Sequence, residues 1–424
     1  MARMLTAADV EAAAKAGQGL LVAPGDRLTP LARDRAKELG VALLSGDAPQ
    51  AAATPSAPAS ASATAPLTRA AAKPAGASAA DTTPPSGRPF VLPPSGAMYR
   101  RNALGPQSPA GPARDGRPKA GVVGAGHVGA MTALRLAESD LFSQVTLVDV
   151  VPGLAAGLAL DMWHGAGLYR FSTLLAGSDD LTALAGAAYI VITAGKPRQP
   201  GMSRTDLTAV NAAIIDAVGQ GIRQHAPDAT LVVVSNPLEE MTHRTAQVTG
   251  FLEERVLGMA GVLDSARFCS LVGLTGRARP QQVQALALGS HGPEMVIPLS
   301  QAFIDSTPIE TVLDAPTLQA IVERTRESGG EVVKLLQKGS AYFSPAESAA
   351  AMVRAMVRDD GEVLAACVRS RGAYGAVDTR VGLPVRLGRR GLKEIVNLPL
   401  RNDELTALRE AAGRIAARIA ELRP

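Results

Sequence analysis

One stretch constrains this chain more than any other: Gly124-Ala125-Gly126-His127-Val128-Gly129, directly after an apolar run and directly before the helix-compatible AMTALRLAE. Glycines at this spacing permit a tight turn, the close approach of a pyrophosphate and close helix packing, while the helix N-terminus offers N–H groups and a positive dipole end. The next apolar run, VTLVD, ends in Asp149. A carboxylate about 20 residues beyond such a loop accepts from ribose hydroxyls and repels a 2′-phosphate, so the pattern predicts a dinucleotide site that favours NAD over NADP. His127, at the position of the phosphates, is expected to pack or face solvent.

The surrounding pattern is that of a parallel α/β sheet. Strands are expected at Gly121 to Val123, Val145 to Val148, Tyr189 to Thr193 and Leu231 to Val234, with helical segments between them. Leu207, Val210, Ile214, Ile215, Val218 and Ile222 share one helix face at spacings of three and four. We therefore expect a Rossmann-type doubly wound sheet over residues 119–263 and a C-terminal α+β substrate domain over 264–424. No internal repeat is apparent. Cys269 and Cys367 lie far apart with no Cys/His cluster, which argues against a disulfide framework and a structural metal, and predicts buried, inert thiols.

Four more segments carry chemistry. TAGKPRQPGMSR (193–204) is a Pro/Gly-rich loop after a strand, with Arg198 and Arg204 six apart. Val234-Ser235-Asn236-Pro237 closes another strand at the edge where open α/β sheets bind ligands. GMAGVLDSARF holds Asp264 and Arg267, and LGSHGPEM holds His291.

In this order, these segments resemble the malate and lactate dehydrogenase family from Lys119 almost to the end, and within it the malate dehydrogenases of lactate-dehydrogenase-like architecture. The resemblance implies that His291 is the general acid/base, held and charge-stabilised by Asp264. It implies that Arg267 grips the substrate carboxylate as a fork and that Asn236 bonds the reacting oxygen or orients its neighbours. Arg204 would polarise the ketone as the loop closes. Arg198, at the specificity position, would pair with a second carboxylate, pointing to oxaloacetate/malate over pyruvate/lactate. The NAD site would comprise Gly124, Ala125, Gly126, His127, Val128, Gly129, Asp149, Thr193, Ala194, Gly195, Asn211, Val234, Ser235 and Asn236. Lactate or another 2-hydroxy acid is the alternative substrate, and a non-catalytic adaptor the alternative class. The family forms homodimers and homotetramers.

The front of the chain differs in composition. Residues 1–48 read as a small α/β head unit, with a helix after Thr6, an N-cap at Thr29, Pro30 at the first helical position and Gly40 as the C-cap. Residues 49–118 hold 14 of the 30 prolines and read as a disordered Ala/Pro-rich linker. Seven basic residues against two acidic ones in that window account for the net charge of +4, leaving the rest near neutral. So mild and scattered an excess argues against nucleic acid. No signal peptide or membrane span is visible, Asp9, Glu11 and Lys15 interrupting the N-terminal segment. A cytoplasmic protein is expected. TPLARDRAKELGV resembles short modules on enzymes associated with bacterial microcompartments, which implies recruitment to a shell or protein partner through residues 1–118.

Overall fold

The computed structural model describes residues 4–23, 26–45, 116–197 and 203–422. The expected linker lies almost wholly outside the described residues, as does Arg198. The chain divides into two compact units, Met1–Phe90 and Val91–Pro424, each described by itself.

Six parallel strands carry the larger unit: Lys119–Val123, Gln144–Val148, Leu174–Ser178, Ala187–Ile192, Thr230–Val233 and Val256–Gly258. In chain order they lie side by side as third, second, first, fourth, fifth and sixth. This is the doubly wound Rossmann arrangement, with its topological switch between the first and fourth strands. The first strand is buried at every position, as a central parallel strand covered by helices on both faces must be. Each of the four strands read from the sequence is present, with ends differing by three residues or fewer. The predicted amphipathic helix spans Arg204–His225, and Leu207, Ile215, Val218 and Ile222 on its apolar face are buried.

The C-terminal part extends the same sheet. Strand Val363–Arg369 pairs antiparallel with Val256–Gly258 through Gly258 and Cys367, then along its whole length with Arg380–Gly388. Gly258 is required here, since a Cβ would lie 2.9 Å from that of Cys367. Leu288–Gly289 and Met295–Val296 complete this edge, and the connection between them holds His291. The expected boundary between residues 263 and 264 falls inside the helix Gly261–Gly273, which carries Asp264 and Arg267 beneath the sheet's carboxyl edge. Cys367 is fully buried and Cys269 partly so; burial pushes the Cys269 thiol up to about 11 and Cys367 up as well.

The smaller unit corrects the expectation of no internal repeat. Strand Met4–Leu5, helix Ala7–Lys15 and strand Leu20–Val22 are followed by strand Arg27–Leu28, helix Pro30–Glu38 and strand Leu43–Ser45. The starts differ by 23 each time (27 − 4, 30 − 7, 43 − 20). Equivalent strands pair with each other in parallel. The caps repeat too: Thr6 and Thr29 precede the helices, and Gly17 and Gly40 follow them at φ +65° and +64°, the left-handed conformation that glycine adopts without Cβ strain. At this offset Leu5/Leu28, Thr6/Thr29, Ala13/Ala36, Gly17/Gly40, Leu20/Leu43 and Leu21/Leu44 are identical, so the repeat shows in the strands and caps more than in the helices. A small core of Val10, Ala32 and Ala36 joins the two helices.

Candidate active site

At the switch point the glycine loop is shaped by close approaches. Gly124 has φ +99°, and a Cβ there would lie 2.7 Å from the Ala194 nitrogen. At Gly129 a Cβ would fall 1.8 Å from the Gly124 carbonyl oxygen, so only glycine lets the helix His127–Glu138 start against the turn. Gly126, the N-cap, is different: a Cβ there meets no protein atom within 4 Å. The helix N-terminus therefore opens onto free space, and the residues fit a pyrophosphate there.

Asp149 stands at the end of the second strand. Its Oδ2 accepts the Ala125 N–H at 2.6 Å and its Oδ1 that of Val151 at 3.0 Å. The carboxylate thus braces the turn. Thr193 closes the other side, donating from Oγ1 toward the carbonyls of Val123 (3.1 Å) and Gly124 (3.0 Å). Ser235 donates to the Ala194 carbonyl at 2.5 Å, linking two strand ends. Val128 lies in the first turn of the glycine-loop helix, Gly195 is exposed in the loop beyond Ala194, and Val234 is half-buried beside Ser235. His127 is exposed, with its ring 5.1 Å from that of Tyr342.

Asn211 is buried at 1% exposure and acts as a pin. Its Oδ1 accepts the Lys196 N–H at 2.8 Å, while Nδ2 donates to the Asn236 carbonyl at 2.6 Å and to that of Lys196 at 3.2 Å. It holds the 194–196 turn against the exposed Asn236, whose bond to Pro237 is cis.

The side-chain cluster forms where the helix Gly261–Gly273 passes under the His291 loop. Asp264, 1% exposed, offers Oδ2 to His291 Nδ1 at 2.8 Å and accepts from Arg267 Nη1 through Oδ1 at 2.9 Å. One carboxylate thus serves both neighbours. Burial opposes a charged imidazole, yet the His291 pKa lies above its ordinary value, because the charge and hydrogen bond of Asp264, helped by Glu239, outweigh that penalty and the repulsion of Arg267. Gly329 faces Arg267, and a Cβ there would come within 4.0 Å of both guanidinium Nη atoms. Arg204 is the first residue of its helix, behind a cap in which Ser203 Oγ accepts the Asp206 N–H at 3.0 Å; its side chain lies outside the described features.

Four participants were missed in the sequence. Glu239 Oε1 accepts the His291 N–H at 2.6 Å, and Arg418 binds both Glu240 and Glu294. The only local signal was two glutamates opening a helix that is otherwise buried at that end. Among the described residues, no group of three or more His, Cys, Asp or Glu is placed to hold a metal, and no helix is long and apolar enough to cross a membrane.

A dinucleotide cradle at the switch point beside a carboxylate-held imidazole and an arginine defines an NAD-dependent oxidoreductase. The chain belongs to the lactate/malate dehydrogenase family: the family's NAD-binding domain matches residues 118–258 and its alpha/beta C-terminal domain residues 261–423. Malate dehydrogenase 1 of Anaeromyxobacter dehalogenans is 41% identical over 307 residues, 72% of this chain and 98% of the relative. Malate dehydrogenase from Salinibacter ruber superimposes with a TM-score of 0.68 at 35% identity, over 71% of this chain and 96% of that one. The lactate dehydrogenase of Cryptosporidium parvum, solved with lactic acid and nicotinamide adenine dinucleotide, gives 0.69 at 29% identity, over 73% and 100%.

Proposed function

We propose that this chain catalyses the reversible oxidation of (S)-malate to oxaloacetate, with His291 moving the hydroxyl proton. The observation that carries the reading is the Asp264 carboxylate shared between His291 Nδ1 at 2.8 Å and Arg267 at 2.9 Å. NAD, when bound, supplies the hydride acceptor for the substrate's C2. His291 takes the hydroxyl proton through Nε2, since Nδ1 faces Asp264, which stabilises the imidazolium so formed in a dry pocket. Arg267 keeps further donors for the carboxylate beside the reacting carbon. Arg204 polarises the carbonyl oxygen in the reductive direction, and Asn236 orients the same oxygen. Gly124 to Gly129, Asp149, Thr193, Ala194, Gly195, Val234 and Ser235 form the cofactor wall, with Asn211 pinning the turn behind it.

Substrate choice rests on Arg198. A lactate dehydrogenase superimposes as well as a malate dehydrogenase does, so the backbone does not select. A monocarboxylate would leave Arg198 without a partner on closure, which costs roughly 3 to 5 kcal/mol. NADH oxidation with oxaloacetate, with pyruvate and with no substrate tests this. Wild type should prefer oxaloacetate by about two to three orders of magnitude, and Arg198→Gln should erase most of that preference. Absence of oxaloacetate turnover would sink the reading.

The enzyme works as a homodimer or homotetramer in the cytoplasm, or within a bacterial microcompartment, recruited through residues 1–118. Val151, Leu154, Leu160, Trp163 and Leu168, on and beside one helix, are exposed large apolar side chains, which supports self-association there. Light scattering reads the assembly; a monomer would refute it. A fluorescent fusion of residues 1–118 that captures no partner and stays diffuse would refute recruitment.

A further inference from the structure

The helix after Pro237 opens with two adjacent glutamates, and both are buried at 2% exposure. Buried carboxylates require partners, and these two reach the same loop by different routes. Glu239 accepts the backbone N–H of His291 itself, at 2.6 Å. Glu240 accepts from Arg418 Nε at 3.1 Å, and Arg418 Nη1 continues to Glu294 at 3.2 Å. Glu294 lies three residues beyond His291, while Arg418 is near the end of the last helix, Asn402–Ala420. The loop bearing the imidazole is therefore tied to one helix at two points, once directly and once through the final helix.

These ties act on a different degree of freedom from Asp264. The bond from Nδ1 to Asp264 fixes the ring's rotation and tautomer, but it can persist while the whole loop shifts by a few tenths of an ångström. The N–H of His291 belongs to the main chain, so Glu239 fixes where the ring is mounted. Proton transfer depends steeply on that mounting, because donor and acceptor must stay within hydrogen-bond reach as the substrate carbon changes geometry.

We propose that Glu239 is a positioning residue for His291, and that the Glu240–Arg418–Glu294 bridge braces the same loop, making the final helix part of the proton-transfer apparatus. The proposal deepens the dehydrogenase reading and rests on it for the role of His291. The charged groups around that imidazole are Asp264 and Arg267 from one helix and Glu239 from the other, with Glu240, Glu294 and Arg418 next to them.

Glu239→Gln keeps an acceptor oxygen, whereas Glu239→Leu removes it at similar volume. The Gln variant should keep kcat within about threefold, while the Leu variant should lose about 10- to 100-fold, with NADH affinity unchanged in both. Arg418→Met should lose kcat about three- to tenfold, again without moving NADH affinity. The second readout needs no turnover: NMR titration of the His291 ring, assigned by comparison with His291→Asn. Its midpoint should fall in the Leu variant, because the nearby carboxylate is gone and the ring is less firmly held against Asp264. A folded, NADH-binding Glu239→Leu with wild-type kcat and titration would overturn the proposal. So would a Gln variant as impaired as the Leu variant, and an unaffected Arg418→Met would overturn the brace. If Glu239→Leu does not fold, Glu239→Met, which also lacks the acceptor at similar volume, takes its place in the same comparison with Glu239→Gln. A wild type that turns over neither malate nor oxaloacetate would instead refute the functional reading, and the titration would still test the mounting of His291.

Discussion

The two halves of this site are built by opposite means. The cofactor half works through missing atoms: Gly124 and Gly129 let main chains approach where any side chain would collide, and Gly126 leaves open space over a helix end. The proton-transfer half works through added charge, with Asp264, Glu239 and Glu240 buried around His291, Arg267 and Arg418. A cradle for an anion needs N–H groups and room, which glycine supplies cheaply in local sequence. Holding a proton at a chosen atom needs compensated charge in a low dielectric, which only contacts between distant segments provide.

That contrast is broken most severely at the charged half. His291→Asn should lower kcat by about 10²- to 10⁴-fold, the usual worth of a positioned acid/base, while NADH binding, measured by its fluorescence, stays unchanged. An equal loss of NADH affinity would show that the halves are not separable. The raised His291 pKa fixes the sign of the pH dependence. Reduction of oxaloacetate needs the protonated ring, so its rate should persist above pH about 6.5, the ordinary imidazole value, and fall only through the higher pKa. Malate oxidation should rise through that same pKa. Asp264→Asn should move both limbs to lower pH, since the largest charge holding the proton is removed.

The glycine half predicts a finer distinction, between two substitutions of identical chemistry. Gly129→Ala places a Cβ 1.8 Å from the Gly124 oxygen, an overpacking that should cost about 1 to 3 kcal/mol in stability. Gly126→Ala meets nothing in the protein, so its melting temperature should match wild type while its NADH affinity falls, because the added methyl occupies space the pyrophosphate needs. Melting curves and NADH titrations on the pair separate the two effects. If Gly126→Ala binds NADH as tightly as wild type, the cofactor does not approach that helix end closely.

The same contrast explains what could be read from the sequence. Gly124 to Gly129, Asp149 and the strands around them follow local rules of turn, period and spacing. Asp264 and Arg267 sit three apart on one helix, and His291 came from a run of motifs in order. Glu239 and Arg418 had no such marker. Their partners lie 52 residues away in the first case and 178 and 124 in the second, and only the sheet's return through Cys367 and Gly382 onto Gly258 and Gly289 brings those segments together. The repeat in the head escaped notice for the reverse reason. Its two copies agree only at short, separated points, Leu5-Thr6/Leu28-Thr29, Gly17/Gly40 and Leu20-Leu21/Leu43-Leu44, while their longest elements diverge from AADVEAAAK to PLARDRAKE.

The smallest effect is expected from the head. The described residues of the proposed site and its supports all lie between Gly124 and Arg418, and the head has its own caps, strands and small core. Removing residues 1–115 should therefore change kcat and KM for oxaloacetate by less than about twofold, as for changes remote from a site's own contacts. Arg117 must be kept, because it donates to the Asp140 carbonyl at 2.7 Å and pairs with the Asp140 carboxylate at 3.2 Å. That carboxylate, held down to about 2 by N–H and hydroxyl donors from Ser172 and Thr173 despite opposing burial, anchors the turn leading into the second strand. A truncation beginning at Gly116 that matches the full chain would show that turnover does not need the head. A loss of activity that the separate head restores when added back would instead make it a working part of the enzyme.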